Sequence, residues 1–247
     1  QEVMKAPPDG HTLMLANTGV MVINPALYGK LPYATLRDFV PVARTAMQPL
    51  ALMVNPTVPA KTLGEFIDYT RKRPGQINYG SAGNGGISHL VPEMFKTATG
   101  LFMVHIPYRG SAPAFTDLMA GQVQFMAESI PQAANYHKQG KVRALAVLAD
   151  KRTVALPNVP TTKEAGVDDF VVPLWYGILT STGTARDSIA KLNGEIAKAL
   201  AAKDVIEKFT AAGIDPMPST PEHFSKFIRS ETVRYAKVIK DAGIKPD

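Results

Sequence analysis

The residues best placed to do chemistry lie in one stretch, Asn78-Tyr79-Gly80-Ser81-Ala82-Gly83-Asn84-Gly85-Gly86-Ile87-Ser88-His89-Leu90, where four glycines and two serines fall in nine residues. A short strand-like run, Gln76-Ile77-Asn78-Tyr79, precedes it, and an amphipathic run with Leu90, Val91, Met94 and Phe95 follows. Strand, glycine loop and helix in that order expose N–H groups at a helix N-terminus. There the first amides lack intrahelical partners and the dipole is positive, so an anion is favoured. A plain, well-capped tight turn has the same composition, and glycines alone do not separate the two. Pro92 belongs in a first turn, which predicts a helix beginning near Ser88.

Other chemistries fare worse. A Ser81–His89–Glu128 relay can be drawn, which would make a small-molecule hydrolase. However, Gly80-Ser81-Ala82-Gly83 lacks the residue between serine and glycine that a nucleophile elbow needs, so no catalytic residue is assigned. The loop is neither a phosphate-binding Walker motif nor Gly-x-Gly-x-x-Gly. The histidines are His11, His89, His105, His137 and His223; none forms a His-x-x-x-His pair, and no carboxylate cluster has metal spacing. Cysteine is absent, which excludes thiol catalysis, disulfides and thiolate metal sites. Neither a metal nor a cofactor is expected.

A second strand, loop and helix start follows the first. Phe102–Tyr108 reads as a strand, Arg109-Gly110-Ser111 as its loop, and Ser111 as the cap of a helix carrying Pro113 in its first turn and closing at Gly121. Val123–Ala127 alternates as a strand and delivers Glu128, which reads equally as a surface carboxylate or helix cap and as a ligand contact. Near the start, Asp9-Gly10 turns into a strand over 11–16 that opens into the polar loop Asn17-Thr18-Gly19, on the strand's carboxyl side where α/β crevices form.

The remaining elements are the scaffold for these loops. Residues 1–8 read as a helix tail stopped by Pro7-Pro8, and Leu31–Val42 as a lead into a strand over 50–54. Thr62-Leu63-Gly64-Glu65 is a capping box that opens a helix through about Arg73. Val142–Leu148 is a buried strand, and Thr161-Thr162-Lys163-Glu164 is a second box before a short helix stopped by Gly166. Trp175 and Tyr176 are core residues by default, or pocket-lining ones. Thr184 opens a helix with Ile189, Leu192, Ile196 and Leu200 on one face. A shorter helix runs over 205–212, and Thr220-Pro221 starts a long last helix that Gly243 stops.

With 247 residues, 45% hydrophobic and 19% charged, the chain has the composition of a globular protein of one large or two modest domains. The net charge of +6 is spread out, and the densest basic run, Arg71-Lys72-Arg73, falls at a predicted helix C-terminus, so no nucleic-acid partner is expected. No apolar run is long enough to span a bilayer.

Several stretches taken together are familiar: Ala6–Leu13, Ile23–Tyr28, Leu31–Tyr33, Tyr79–Gly85, Ser88–Leu90, Val104–Gly110, Asp117–Val123, Gly140–Val147 and Leu156–Thr161. In that order the chain resembles the Bug-family receptors, the extracytoplasmic solute-binding components of tripartite tricarboxylate transporters, over nearly its whole length. The resemblance implies an α/β, type II-like, two-lobe periplasmic binding protein of the Venus-flytrap kind, with a central cleft and each lobe a sheet flanked by helices. The expected lobes are residues 1–76 with 178–247, and residues 77–177. It implies capture of a small organic acid (dicarboxylate, tricarboxylate, acidic amino acid or aromatic carboxylate), partnership with membrane transporter subunits, and a monomer. The family's first strand, its loop and part of the first helix are expected to be missing. Glu128 stands where many members have Asp, and Pro92 where a helix-friendly residue is usual. The expected ligand contacts are Asn17, Thr18 and Gly19; Ser81, Ala82, Gly83, Gly85 and Ser88; and Gly110 and Ser111, with Glu128 setting selectivity. An effector-sensing domain shares the two-lobe logic, but no helix-turn-helix stands at either end.

Overall fold

The computed structural model describes residues 2–168, 170–172 and 174–244. The chain falls into two compact units, dividing at residues 47/48 and 173/174. The first unit opens with α1 (Glu2–Lys5), β1 (Leu13–Asn17), a π-helical segment (Gly19–Ile23) that runs on as α2 (Asn24–Leu27), α3 (Thr35–Asp38) and β2 (Phe39–Gln48). The second unit carries β3 (Leu50–Val54), α4 (Leu63–Arg71), β4 (Asn78–Ser81), α5 (Ile87–Thr99), β5 (Val104–Pro107), α6 (Ser111–Ala120), β6 (Phe125–Ser129), α7 (Ile130–Lys138) and β7 (Arg143–Val147). The chain then returns to the first unit as β8 (Leu174–Ser181), α8 (Arg186–Leu200), α9 (Lys203–Ala211), β9 (Asp215–Pro216) and α10 (Pro221–Asp241).

In the first unit the strand order is β1-β8-β2-β9, with β1 antiparallel to β8 from Leu13↔Thr180 to Asn17↔Tyr176. Trp175 of β8 is fully buried and meets Phe224 and Phe227 of α10 edge-on, with ring centroids 5.5 and 5.6 Å away. It is a core residue. Gly177 makes this packing feasible, because a Cβ there would run into the Phe224 ring and stand 3.0 Å from the Ala43 carbonyl. Thr220 caps α10 by accepting the His223 N–H, with Pro221 at the first helical position, where its missing N–H costs nothing.

In the second unit the order is β5-β4-β6-β3-β7. Strand β4 runs parallel to β5 and β6, whereas β3 is antiparallel to β6 and β7. All of Leu50–Val54 is buried, as an inner strand covered on both faces requires. Phe66 of α4 stacks on Phe125 of β6 at 5.0 Å, and Phe95 of α5 lies 5.6 Å from the same ring.

The structure departs from the sequence reading at identifiable places. The first division lies at 47/48 rather than 76/77, because β3 pairs inside the second sheet and α4 packs on it through Phe66. The second division, at 173/174, is close to the expected 177/178. Residues 39–48 are a ten-residue strand and not a lead-in; Pro41 and the uninterrupted burial of 41–44 hid its alternation. Pro92 sits inside α5, five residues past its first position, so the Ser88 carbonyl has no amide to receive there. The Thr161–Glu164 box forms both of its hydrogen bonds, at 2.8 and 3.1 Å, but closes a turn instead of starting a helix. The Thr62–Glu65 box forms as expected at the start of α4.

Candidate functional site

Two strand–loop–helix units stand side by side at the carboxyl ends of β4 and β5. Their loops are joined by Tyr108 N–H to the Ser81 carbonyl at 3.0 Å and Gly110 N–H to the Ala82 carbonyl at 3.1 Å. Each also carries a tyrosine that donates to a carboxylate on its following helix. Tyr79 donates to Glu93, which also pairs with Lys96 at 2.7 Å; Tyr108 donates to Asp117 at 2.7 Å. Burial first, then the carboxylate, keeps the Tyr79 phenol protonated far above the ordinary range, and the same causes push Tyr108 up to about 12. Gly80 lies in a tight space, where a Cβ would stand 3.3 Å from Val123 Cγ2 and 3.4 Å from both Met126 and the Tyr108 ring.

The glycine loop is bonded to itself. Ala82 N–H donates to Ser88 Oγ at 2.9 Å, Gly83 N–H to Ser81 Oγ at 3.2 Å, and Gly85 N–H to His89 Nδ1 at 3.0 Å. The amides expected to face an anion are therefore directed inward. Beyond these, the first turn of α5 offers the N–H groups of Ile87 and Ser88, which lie ahead of the intrahelical hydrogen-bond ladder. In the second loop Gly110 takes φ 109° and ψ 168°, a conformation confined to glycine, and is itself the N-cap. Ser111 was expected to cap α6, but it is the first helical residue, and its hydroxyl donates to Glu128 Oε2 at 2.6 Å. The other oxygen of Glu128 accepts the Ser129 N–H at 2.8 Å. The first-turn amides of Ser111 and Ala112 are the second pair of helix-start donors.

The hypothetical serine relay does not assemble. His89 is taken up by Gly85 and Glu128 by Ser111 and Ser129, while Ser81 Oγ lies 2.6 Å from Nε2 of a different residue, His105. The His105 ring stacks on His89 at 3.8 Å and on Tyr79 at 4.8 Å. No local motif marks His105. Its link to Ser81 depends on the parallel register Tyr79↔His105 and Ser81↔Pro107, which no single stretch displays.

In the first unit, the three expected contacts follow β1. Asn17 Oδ1 accepts the Val20 N–H at 3.2 Å, closing the first turn of the π-helical segment. Thr18 is fully buried and its hydroxyl accepts the Trp175 N–H at 2.9 Å, so its role in the fold is structural. Gly19 stays partly exposed beside Asn17, whose Oδ1 would lie 3.2 Å from an added Cβ. Among the described residues no group of three or more His, Asp or Glu could hold a metal ion.

The model of the tripartite tricarboxylate transporter family receptor matches residues 1–244. The chain belongs to that family. Three solved structures illustrate the match. One described as a periplasmic transporter is 38% identical, with TM-score 0.88, covering 100% of this chain and 82% of its own. An R. palustris protein solved with adipate is 32% identical, with TM-score 0.89 and the same coverage. MatC from Rhodopseudomonas palustris, solved with bound malate, is 32% identical over 96% of this chain and 82% of its own, with TM-score 0.82. The family is one of periplasmic solute-binding receptors, not of enzymes, and the two-sheet α/β architecture is its fold. Among the described residues no helix is long and apolar enough to cross a membrane.

Proposed function

We propose that this receptor captures a small organic acid carrying two carboxylates, with one of them held at the paired starts of α5 and α6, and delivers it to the membrane subunits of a tripartite transporter. One observation carries the reading: two helix N-termini open side by side, with the first-turn amides of Ile87, Ser88, Ser111 and Ala112 not spent inside either loop. Adipate and malate in the two R. palustris relatives are acids of this class. Ser81, Ala82, Gly83, Gly85 and Gly110 support those donors by fixing the loops, and Glu128 restricts what can sit beside Ser111. In the first unit, Asn17 and Gly19 at the carboxyl end of β1 are the candidate contacts, and Thr18, buried and bonded to Trp175, holds that loop in place.

The test is a thermal-shift screen of ligand-stripped protein against mono-, di- and tricarboxylates and aromatic acids. An acid present at a hundred times its Kd adds about 2.7 kcal/mol of stability. A shift confined to dicarboxylates supports the reading; no shift from any acid with folded protein overturns it. Ile87→Pro sharpens the result. Gly86 already has the extended backbone (φ −73°, ψ 165°) that precedes a proline, so the change removes one amide at a position where proline fits.

A further inference from the structure

We propose that His89 is a positioning residue whose neutral imidazole latches the glycine loop, so that protonation of this ring frees the loop and weakens acid capture. The proposal deepens the receptor reading and rests on it for the binding step, while the latch itself is a property of the ligand-free chain.

The Gly85 N–H reaches His89 Nδ1 at 3.0 Å, and both residues are buried. A ring nitrogen accepts only through a bare lone pair, so Nδ1 carries no proton and the ring's hydrogen is on Nε2. An imidazolium bears N–H at both nitrogens. Protonated His89 would set N–H against the Gly85 N–H, and a buried amide would lose its acceptor. The neighbouring tie cannot replace it, since Gly86 N–H reaches the Gly83 carbonyl only at 3.4 Å.

His105 behaves differently. As a cation it would donate from Nε2 to Ser81 Oγ, leaving the serine hydroxyl to donate to the Gly83 carbonyl at 3.2 Å while still accepting the Gly83 N–H. At these two contacts a proton fits on His105 Nε2 and not on His89 Nδ1. Because the two rings stack at 3.8 Å, 13° from parallel, a charge on His105 also opposes one on His89. Strand β4 gives Tyr79, 6.3 Å from His89. Helix α5 gives Glu93 and Lys96, paired with each other. The end of β6 gives Glu128, bonded to Ser111, and the second loop gives Tyr108, bonded to Asp117 on α6. The Glu93 carboxylate is engaged with Tyr79 and Lys96, and the Gly85 bond itself admits only the neutral state of His89.

The experiment uses the whole chain, 15N-labelled, as wild type, His89→Asn and His89→Phe. Asparagine places Oδ1 where Nδ1 was and does not titrate; phenylalanine keeps a ring without an acceptor. At pH 7.5 the long-range ring spectrum of wild type should show a bare Nδ1. The protection factor of the Gly85 amide should fall about tenfold or more as His89 titrates, while in His89→Asn it stays level. With adipate as probe, His89→Phe should weaken binding about tenfold at pH 7.5. His89→Asn should bind within about threefold of wild type and lose its acid limb. A protonated Nδ1 at pH 7.5, Gly85 protection that ignores the titration, or an unchanged acid limb in His89→Asn would each overturn the proposal. If wild type binds neither adipate nor malate, the receptor reading fails instead, and the ring and exchange measurements still decide the latch.

Discussion

The two loops of the second unit follow one plan and differ in how they are closed. Each leaves a parallel strand, carries a tyrosine bonded to a carboxylate of its helix, and opens that helix beside the other. The first loop turns its amides onto its own hydroxyls and imidazole; the second is held by backbone bonds to the first and by one glycine conformation. The difference separates two uses of glycine. In the first loop glycines let the chain fold back on itself as a platform. In the second, Gly110 sets the angle at which a helix start is presented.

The comparison breaks most sharply at Gly110. Open space surrounds a Cβ there, so Gly110→Ala tests backbone strain alone and should cost about 1–3 kcal/mol in urea unfolding. Gly86→Ala is the control. Its φ of −73° suits any residue and its Cβ would stand 3.5 Å from the Gly83 carbonyl, so the gain from a stiffer unfolded chain is set against alanine's poorer N-capping and the net change should stay within about 0.5 kcal/mol. Equal losses at both positions would mean that the second loop does not depend on the Gly110 conformation.

The self-bonding of the first loop is tested next. Ser88→Ala leaves the partly buried Ala82 N–H without its acceptor and should destabilise by about 1–2 kcal/mol, with Ala82 amide exchange accelerated. The equivalent change in the second loop, Ser111→Ala, removes a donor to Glu128 and no amide acceptor. Its stability effect should be about 1 kcal/mol or less, with the larger consequence in which acids bind. An Ala82 amide that exchanges no faster in Ser88→Ala would show the first loop to be held by other contacts.

Much of this was legible from residue order. Strand, glycines and amphipathic run placed both helix starts, with Pro113 in the first turn of the second, because caps and breakers act locally; the Thr62 box and Thr220-Pro221 show how reliably. Strand β2 was missed because a strand buried across most of its length loses its period of two, and Pro41 argued against it. Pro92 misled because burial of Leu90, Val91 and Phe95 holds a helix through the proline's missing bond. The inward direction of the loop amides was not legible at all. Which acceptor reaches Gly85 or Ser81 depends on the register of β4 against β5, a non-local fact that brings His105 to Ser81. Alternation alone brings Glu128 to a strand end, whereas a serine at a helix start can cap it or reach outward, and Ser111 reaches Glu128.

The smallest effect compares the two tyrosines. A phenol with a raised pKa is stabilised in its neutral form, so its contribution to folding is complete below the unfolded value near 10 and is lost as pH rises through the folded value. Tyr108 should ionise near pH 12, whereas Tyr79, fully buried, should not ionise before the chain unfolds. Absorbance titration at 295 nm checks this with Tyr79→Phe and Tyr108→Phe. Removing Tyr108 should delete a step near pH 12 from the folded titration. Removing Tyr79 should leave that titration unchanged and alter only the unfolding jump. A step lost from the folded phase in Tyr79→Phe would mean that hydroxide reaches the floor of the first loop. The stacked pair His89 and His105 would then be no drier than the second loop beside it, and the two closures would differ in bonding but not in access to water.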